Sequence, residues 1–102
     1  MRETFSILFY LKNYKKEMSV KLIYCRISIN GSKAPFSTQL KINPNLWDQA
    51  TNRAKGKSKS SIEINNVLSK LETRINDAYK TIKERRSRFD AFYLRDYIHG
   101  KI

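Results

Sequence analysis

"VKLIYCRISINGSKAPFSTQL", residues 20–40, holds two alternating runs on either side of Asn30-Gly31. Both residues tolerate the positive φ that a two-residue type I′ turn demands, so this dipeptide between such runs is the strongest short-range sign of a β-hairpin. The register that follows tests itself. Ile29 faces Ser32, Ile27 faces Ala34, Cys25 faces Phe36 and Ile23 faces Thr38, and the apolar sides of the two strands coincide. The other side brings Tyr24, Arg26 and Ser28 beside Lys33, Pro35, Ser37 and Gln39. Pro35 has no N–H to give to a ladder, which marks the second strand as a sheet edge or places a bulge there, and residues 20–29 are left for the middle.

Toward the amino terminus, Phe5 to Lys12 alternates as a half-buried strand requires. Phe5, Ile7, Phe9 and Leu11 take one side; Ser6, Leu8, Tyr10 and Lys12 take the other, where Ser6, Tyr10 and Lys12 join the polar face of the hairpin. The polar stretch "NYKKEMS", residues 13–19, reads as the connecting loop.

Toward the carboxyl terminus, Asn43-Pro44-Asn45 supplies a turn that folds Leu46 and Trp47 back under a helix, with Asp48 capping the next turn. One sheet and one helix leave an open end to their shared core, and Trp47 is placed to plug it. The helix start is read at Ser60, which with Glu63 forms a capping box, so that the helix begins at Ser61. Ile64, Leu68, Leu71, Ile75, Ala78 and Ile82 then repeat at spacings of three and four, a stripe that lies on the apolar face of the sheet. Arg85, Arg86 and Arg88 complement the carbonyl end of the dipole. Asp90 caps a second short helix, Ala91 to Ile98, closed by Gly100. Phe89, Phe92, Tyr93, Leu94, Tyr97 and Ile98 give it more apolar surface than so short an element buries alone, so the chain is expected to continue. The expected class is α+β: a three-stranded antiparallel β-sheet packed on one long α-helix, with a short C-terminal helix. Residues 1–88 form the domain and 89–102 a short helix or linker.

Composition bounds the function. A chain of 102 residues holds one domain with a modest core. Twenty-one Lys and Arg against nine Asp and Glu give a net charge of +12, which calls for a polyanionic partner. An apolar content of 40% is too high for a disordered basic arm. Cys25 stands alone, which excludes an internal disulfide, fits a reducing cytoplasm and reads as a small buried hydrophobe. The opening apolar run is interrupted by Ser6 and lacks a cleavage site, so it is not an export signal. No run is long enough to cross a bilayer, and a soluble protein without a membrane partner is expected. There is no metal-ligand cluster, no Gly-rich phosphate loop after a strand and no nucleophile with a histidine partner, which argues against an enzyme, a cofactor, a metal or a small-molecule substrate.

The polar sheet face is basic and aromatic, and the major groove of duplex DNA admits a β-ribbon as well as a helix. Arg26 sits centrally and suits a bidentate contact to guanine O6 and N7. Tyr24, Ser28, Lys33, Ser37 and Gln39 surround it, with Lys33 placed for phosphate and Gln39 for adenine. Arg53, Lys55, Lys57 and Lys59 in "RAKGKSK" have no acid to offset them and suit a phosphate backbone just before a helix start. Lys15 and Lys16 clamp the backbone from the first loop, while the hydroxyls of Tyr10 and Tyr14 reach phosphates, with Lys12 beside them. Two rival classes stay open: an RNA-binding module that stacks bases on exposed tyrosines, and a protein-interaction module that docks through the edge strand or the last helix.

The same residues carry a resemblance. "YCRISING", "PFSTQLKINPNLWD", "NRAKGKS" and the helix opening "EINNVLSKLETRINDAY" follow one another in an order that resembles the N-terminal arm DNA-binding domain of tyrosine recombinases. These are the phage-integrase family enzymes of bacterial mobile elements and conjugative transposons. The likeness runs from about Phe5 to Gly100, and its "FST-x-L-K-x-N-P-x-x-W-D" core and "I-N-x-x-L" helix start are its fairly specific parts. Gln39 stands where that pattern expects a glycine, which touches only the local turn. The resemblance implies a three-stranded sheet backed by a helix that binds double-stranded DNA at arm-type sites, positioning a recombinase for integration and excision in the bacterial cytoplasm. It also implies other domains or copies of the parent recombinase as partners, with residues 89–102 leading toward a core-binding domain. The family's catalytic domain uses an Arg, a His-x-x-Arg and a Tyr; His99 is the lone histidine here and no arginine follows it, so this piece is expected to be non-catalytic.

Overall fold

The structure, a computed structural model, describes residues 3–13 and 19–102. Three antiparallel strands, β1 (Phe5–Asn13), β2 (Lys21–Ile29) and β3 (Ser32–Ile42), form a sheet in the order β1-β2-β3, so β2 is central and the Pro35 strand is an edge. Asn30 (φ 48°) and Gly31 (φ 92°) make the expected positive-φ turn. Thr4 extends the tip: its N–H donates to Asn30 Oδ1 at 2.8 Å. Ile29 pairs with Ser32, Ile27 with Ala34 and Cys25 with Phe36, as the alternation requires.

One pairing differs. Ile23 lies opposite Leu40, not Thr38, because Thr38 and Gln39 form a two-residue bulge. Hydroxyls replace the missing ladder bonds there. Thr38 Oγ1 donates to the Ile23 carbonyl at 2.6 Å and accepts from Leu40 N–H at 3.3 Å, while Ser37 Oγ accepts from Gln39 N–H at 2.9 Å. Gln39 sits at φ 67°, the left-handed region that glycine adopts without strain, which is why a glycine is the natural residue at this point. Two inserted residues preserve the pleat, so Leu40 and Ile42 return to the inner side.

That inner side supplies Phe9, Ile23, Cys25, Ile27, Ile29 and Ala34, all buried. The long helix α1 (Lys59–Arg85) lays Ile64, Leu68, Ile75, Ala78 and Ile82 over them, with Leu71 half-buried. Each fully buried Ile or Leu contributes roughly 1.5–3 kcal/mol relative to exposure. Burial pushes the Cys25 thiol up to about 12, so it serves as a small neutral core residue.

The helix starts earlier than its capping-box reading suggests. Ser58, not Ser60, is the N-cap: its hydroxyl accepts from Ser61 N–H at 3.2 Å and donates to Ser61 Oγ at 3.1 Å. Ser61, three residues before Ile64, heads the inward stripe and is only 1% exposed, so its hydroxyl needs a partner inside the fold. Ser58 supplies that partner, whereas Ser60 points to solvent on the first turn.

The second helix, α2 (Ala91–Ile98), is capped by Asp90, whose Oδ1 accepts from Tyr93 N–H at 2.8 Å. Ala91, Leu94 and Ile98 are buried in the same core. Ala91 N–H donates to Ser32 Oγ at 2.9 Å, and Arg74 of α1 donates to the Ile98 carbonyl, so α2 is tied at both ends.

Between sheet and helix runs the connector. Pro44–Leu46 forms a single 3-10 turn capped by Asn43, whose Oδ1 accepts from Asn45 N–H at 2.9 Å. Trp47 follows, 7% exposed, and closes the core end as its position predicts. Leu46 does not fold inward with it: the 3-10 turn aims its side chain at solvent, 43% exposed, while its carbonyl accepts from Lys55 N–H at 2.6 Å. Two short strands, β4 (Trp47–Asp48) and β5 (Arg53–Ala54), pair as a hairpin, and Asp48 caps its turn through Ala50 N–H at 3.0 Å. Asn65 of α1 brackets Ala54, accepting from its N–H at 2.8 Å and donating to its carbonyl at 3.1 Å. Trp47 Nε1 donates to Gln49 Oε1 at 3.0 Å, Gln49 Nε2 donates to the Phe9 carbonyl at 2.9 Å, and Asn52 Oδ1 accepts from Phe9 N–H at 3.0 Å. The connector thus occupies the free margin of β1 with side-chain amides.

Candidate nucleic-acid interface

Strand pairing sorts the outer sheet face into four rows across β1, β2 and β3: Ser6–Ser28–Lys33, Leu8–Arg26–Pro35, Tyr10–Tyr24–Ser37 and Lys12–Leu22–Lys41. The rows contain four cations and no carboxylate. Every neighbouring position on β2, from Ile23 to Ile29 in steps of two, is buried on the helix side, so the outward parity of Tyr24, Arg26 and Ser28 is fixed by the core itself.

At the centre, two neighbouring rings stand between two cations along a diagonal. Lys12 Nζ stands 4.7 Å from the Tyr24 ring centroid, the Tyr24 and Tyr10 rings are 6.0 Å apart at 47°, and Arg26 Cζ lies 5.9 Å from the Tyr10 centroid. Such contacts hold long cationic side chains over the sheet and limit the entropy they lose on meeting a ligand. Arg26 Nε is buried and, among the described residues, has no hydrogen-bond partner. A buried guanidinium N–H without an acceptor is costly.

The remaining predicted residues separate. Lys33 is exposed at the shoulder of the hairpin, opposite Ser28. The Ser37 hydroxyl is engaged in holding the bulge. Gln39 is not on the outer rows as the simple alternation requires: it has no partner on β2 and borders a cleft of about 390 Å³ between β3 and α1, with Phe36, Val67, Leu71, Arg74 and His99. The bulge rotates it there. Lys15 and Lys16, with Tyr14, lie outside the described residues.

Arg53 differs most from its sequence reading, which finds no acid near it. Glu72, nineteen residues away on α1, places Oε1 3.1 Å from Arg53 Nη2, and the guanidinium lies 5.3 Å from the Phe9 ring centroid. A connector that doubles back onto the helix brings the two together, which linear spacing does not reveal. Lys55, Lys57 and Lys59 are exposed, Gly56 between them has φ 81°, and they gather at the start of α1 and not among the rows.

Two residues of the outer rows, Leu22 and Lys41, are not placed on that face by the sequence reading. Parity alone places Leu22 with Tyr24 and Arg26, and Lys41 emerges once the alternation is carried two residues past Gln39. Among the described residues, no group of three or more His, Cys, Asp or Glu side chains is arranged to hold a metal. No helix among them is long and apolar enough to cross a membrane.

Comparison with known families gives a match over residues 9–100, nearly the whole chain, to a family described as an arm DNA-binding domain. No curated protein and no solved structure matches.

Proposed function

The chain belongs to the arm DNA-binding domain family, and on that premise we propose that its outer sheet face enters the major groove of duplex DNA at arm-type sites. The domain itself is a non-catalytic DNA-binding module; its work is to position a tyrosine recombinase, supplied by following domains, for site-specific integration and excision in the bacterial cytoplasm. Residues 89–102 then lead toward a core-binding domain.

The single observation that carries this reading is Arg26: central, outward, braced by Tyr10, and with its Nε unsatisfied among the described residues. Three strands about 4.8 Å apart span roughly 10 Å, which fits a groove about 12 Å wide. Arg26 meets guanine O6 and N7 at the groove floor. Tyr24, Ser28 and Ser37 line the approach, and Lys12, Lys33 and Tyr10 reach the flanking phosphates. Lys55, Lys57 and Lys59 extend the phosphate track from the start of α1, and the charges of Lys15 and Lys16 add to the attraction for phosphate.

RNA stacking is less favoured, because the Tyr10 and Tyr24 faces are already occupied by each other and by Lys12 and Arg26. The test is fluorescence anisotropy with duplex DNA, duplex RNA and single strands across a salt series. Duplex DNA should win, with log affinity falling against log salt at a slope near −4 to −5 for about five phosphates neutralised. Arg26→Ala should weaken binding to the preferred duplex about 5- to 150-fold. Unchanged affinity in Arg26→Ala, with amide shifts on DNA addition confined to residues 89–102, would reject groove insertion by the sheet.

A further inference from the structure

An antiparallel sheet with one face on a helix ordinarily turns polar side chains to water on the other. Here the outer face does not follow that rule. Leu8 and Pro35 flank Arg26 in one row and Leu22 sits between Lys12 and Lys41 in another; Pro35 is exposed, and Leu8 and Leu22 are only half-buried. Leu8 is half-buried and faces outward beside Arg26. Phosphate attraction has no use for these carbons, and hydration of them works against folding.

The edges of base pairs in the major groove offer one apolar group, the 5-methyl of thymine. We infer that Leu8 is a subsite for the 5-methyl group of a pyrimidine, one base-pair step from the guanine that Arg26 reads, so that the row Leu8–Arg26–Pro35 recognises a thymine next to a guanine. This rests on the groove-insertion reading and deepens it. Leu8 and Arg26 face each other across β1 and β2. Neighbouring strands are about 4.8 Å apart, so their side chains address base pairs one 3.4 Å step apart after a small tilt. Leu22 is a poorer candidate because lysines stand on both sides of it in its row.

The chain as it stands is used to select its preferred duplex from a random library. Each thymine of that duplex is then replaced singly by deoxyuridine, which removes the methyl and leaves every hydrogen-bonding group. At one position, adjacent to the guanine whose substitution hurts most, the wild-type chain should lose about fourfold in affinity, the value of one buried methyl. Leu8→Ala should bind the thymine duplex about as weakly as wild type binds the uracil one, and should show no further loss with uracil. Leu8→Thr, whose β-branched side chain suits a strand, guards against a folding artefact, and far-ultraviolet circular dichroism checks both variants. Equal binding to all uracil duplexes, with Arg26→Ala still defective, overturns the methyl subsite and leaves the sheet reading intact. Insensitivity of affinity to both Arg26→Ala and Leu8→Ala overturns both.

Discussion

Replacing Arg53 by alanine separates two roles that a basic residue beside a DNA-binding surface can have. Its guanidinium joins Glu72 at 3.1 Å, donates to the Asn52 carbonyl at 2.9 Å, and lies 5.3 Å from the Phe9 centroid. The ion pair is partly exposed, with side-chain exposures of 23% and 42%, so solvent screening limits it to about 0.2–1 kcal/mol. The half-covered cation–π contact adds about 0.5–1 kcal/mol. With the hydrogen bond to Asn52 overlapping both, Arg53→Ala should cost about 2 kcal/mol, which for a domain of this size lowers Tm by about 10 °C. Glu72→Gln should cost less than 1 kcal/mol, because the ring contact survives. Urea and thermal melts followed by circular dichroism give the first number; anisotropy across a salt series gives the second. The salt slope of Arg53→Ala should match wild type, whereas Lys55→Ala should reduce it by about 0.9. A variant with unchanged Tm and a slope reduced by that amount would show that Arg53 spends its charge on phosphate, and its bonds to Glu72 and Phe9 would have no structural role.

Two further perturbations test the fold. Ser58→Ala should destabilise by about 0.5–2 kcal/mol and Ser60→Ala by much less, since only Ser58 caps α1; equal costs in urea melts would restore the capping box at Ser60. His99 is held below the usual histidine value of 6.5, first by desolvation, then by Lys101, Arg95 and Arg74, with Asp96 opposing. The folded state therefore binds fewer protons than the unfolded one just below pH 6.5, so this contribution to stability is complete above 6.5 and is lost as pH falls through it. An imidazole titration by NMR should give a midpoint under 6.5, and His99→Gln should flatten that limb of the stability profile; a midpoint above 6.5 refutes desolvation as the cause.

The hairpin is legible in the sequence because two independent constraints, the positive-φ dipeptide and the apolar alternation, agree on one register. Trp47 is legible for a similar reason: a large apolar group after a turn has one open place to go. The bulge is not, since Thr38 and Gln39 fit the alternation and only the hydroxyl bonds of Ser37 and Thr38 favour the departure. Three serines in "KSKSS" offer the helix start several candidates, and burial of Ser61, a tertiary fact, decides among them. The outer face emerges from parity, Leu8 and Leu22 included, but the incomplete burial of these leucines does not, because a leucine on an alternating strand invites no question until the sheet is seen. Arg53 misleads because its acid lies far along the chain.

Gln49 and Asn52 clasp the backbone of Phe9 on one flank of the sheet, while Pro35 and the Thr38–Gln39 bulge interrupt the other. Both borders are thereby spoiled as templates for a fourth strand. A second sheet brought against either border finds no open ladder to extend, so the three strands stay a closed set and the protein does not grow into a continuous ribbon.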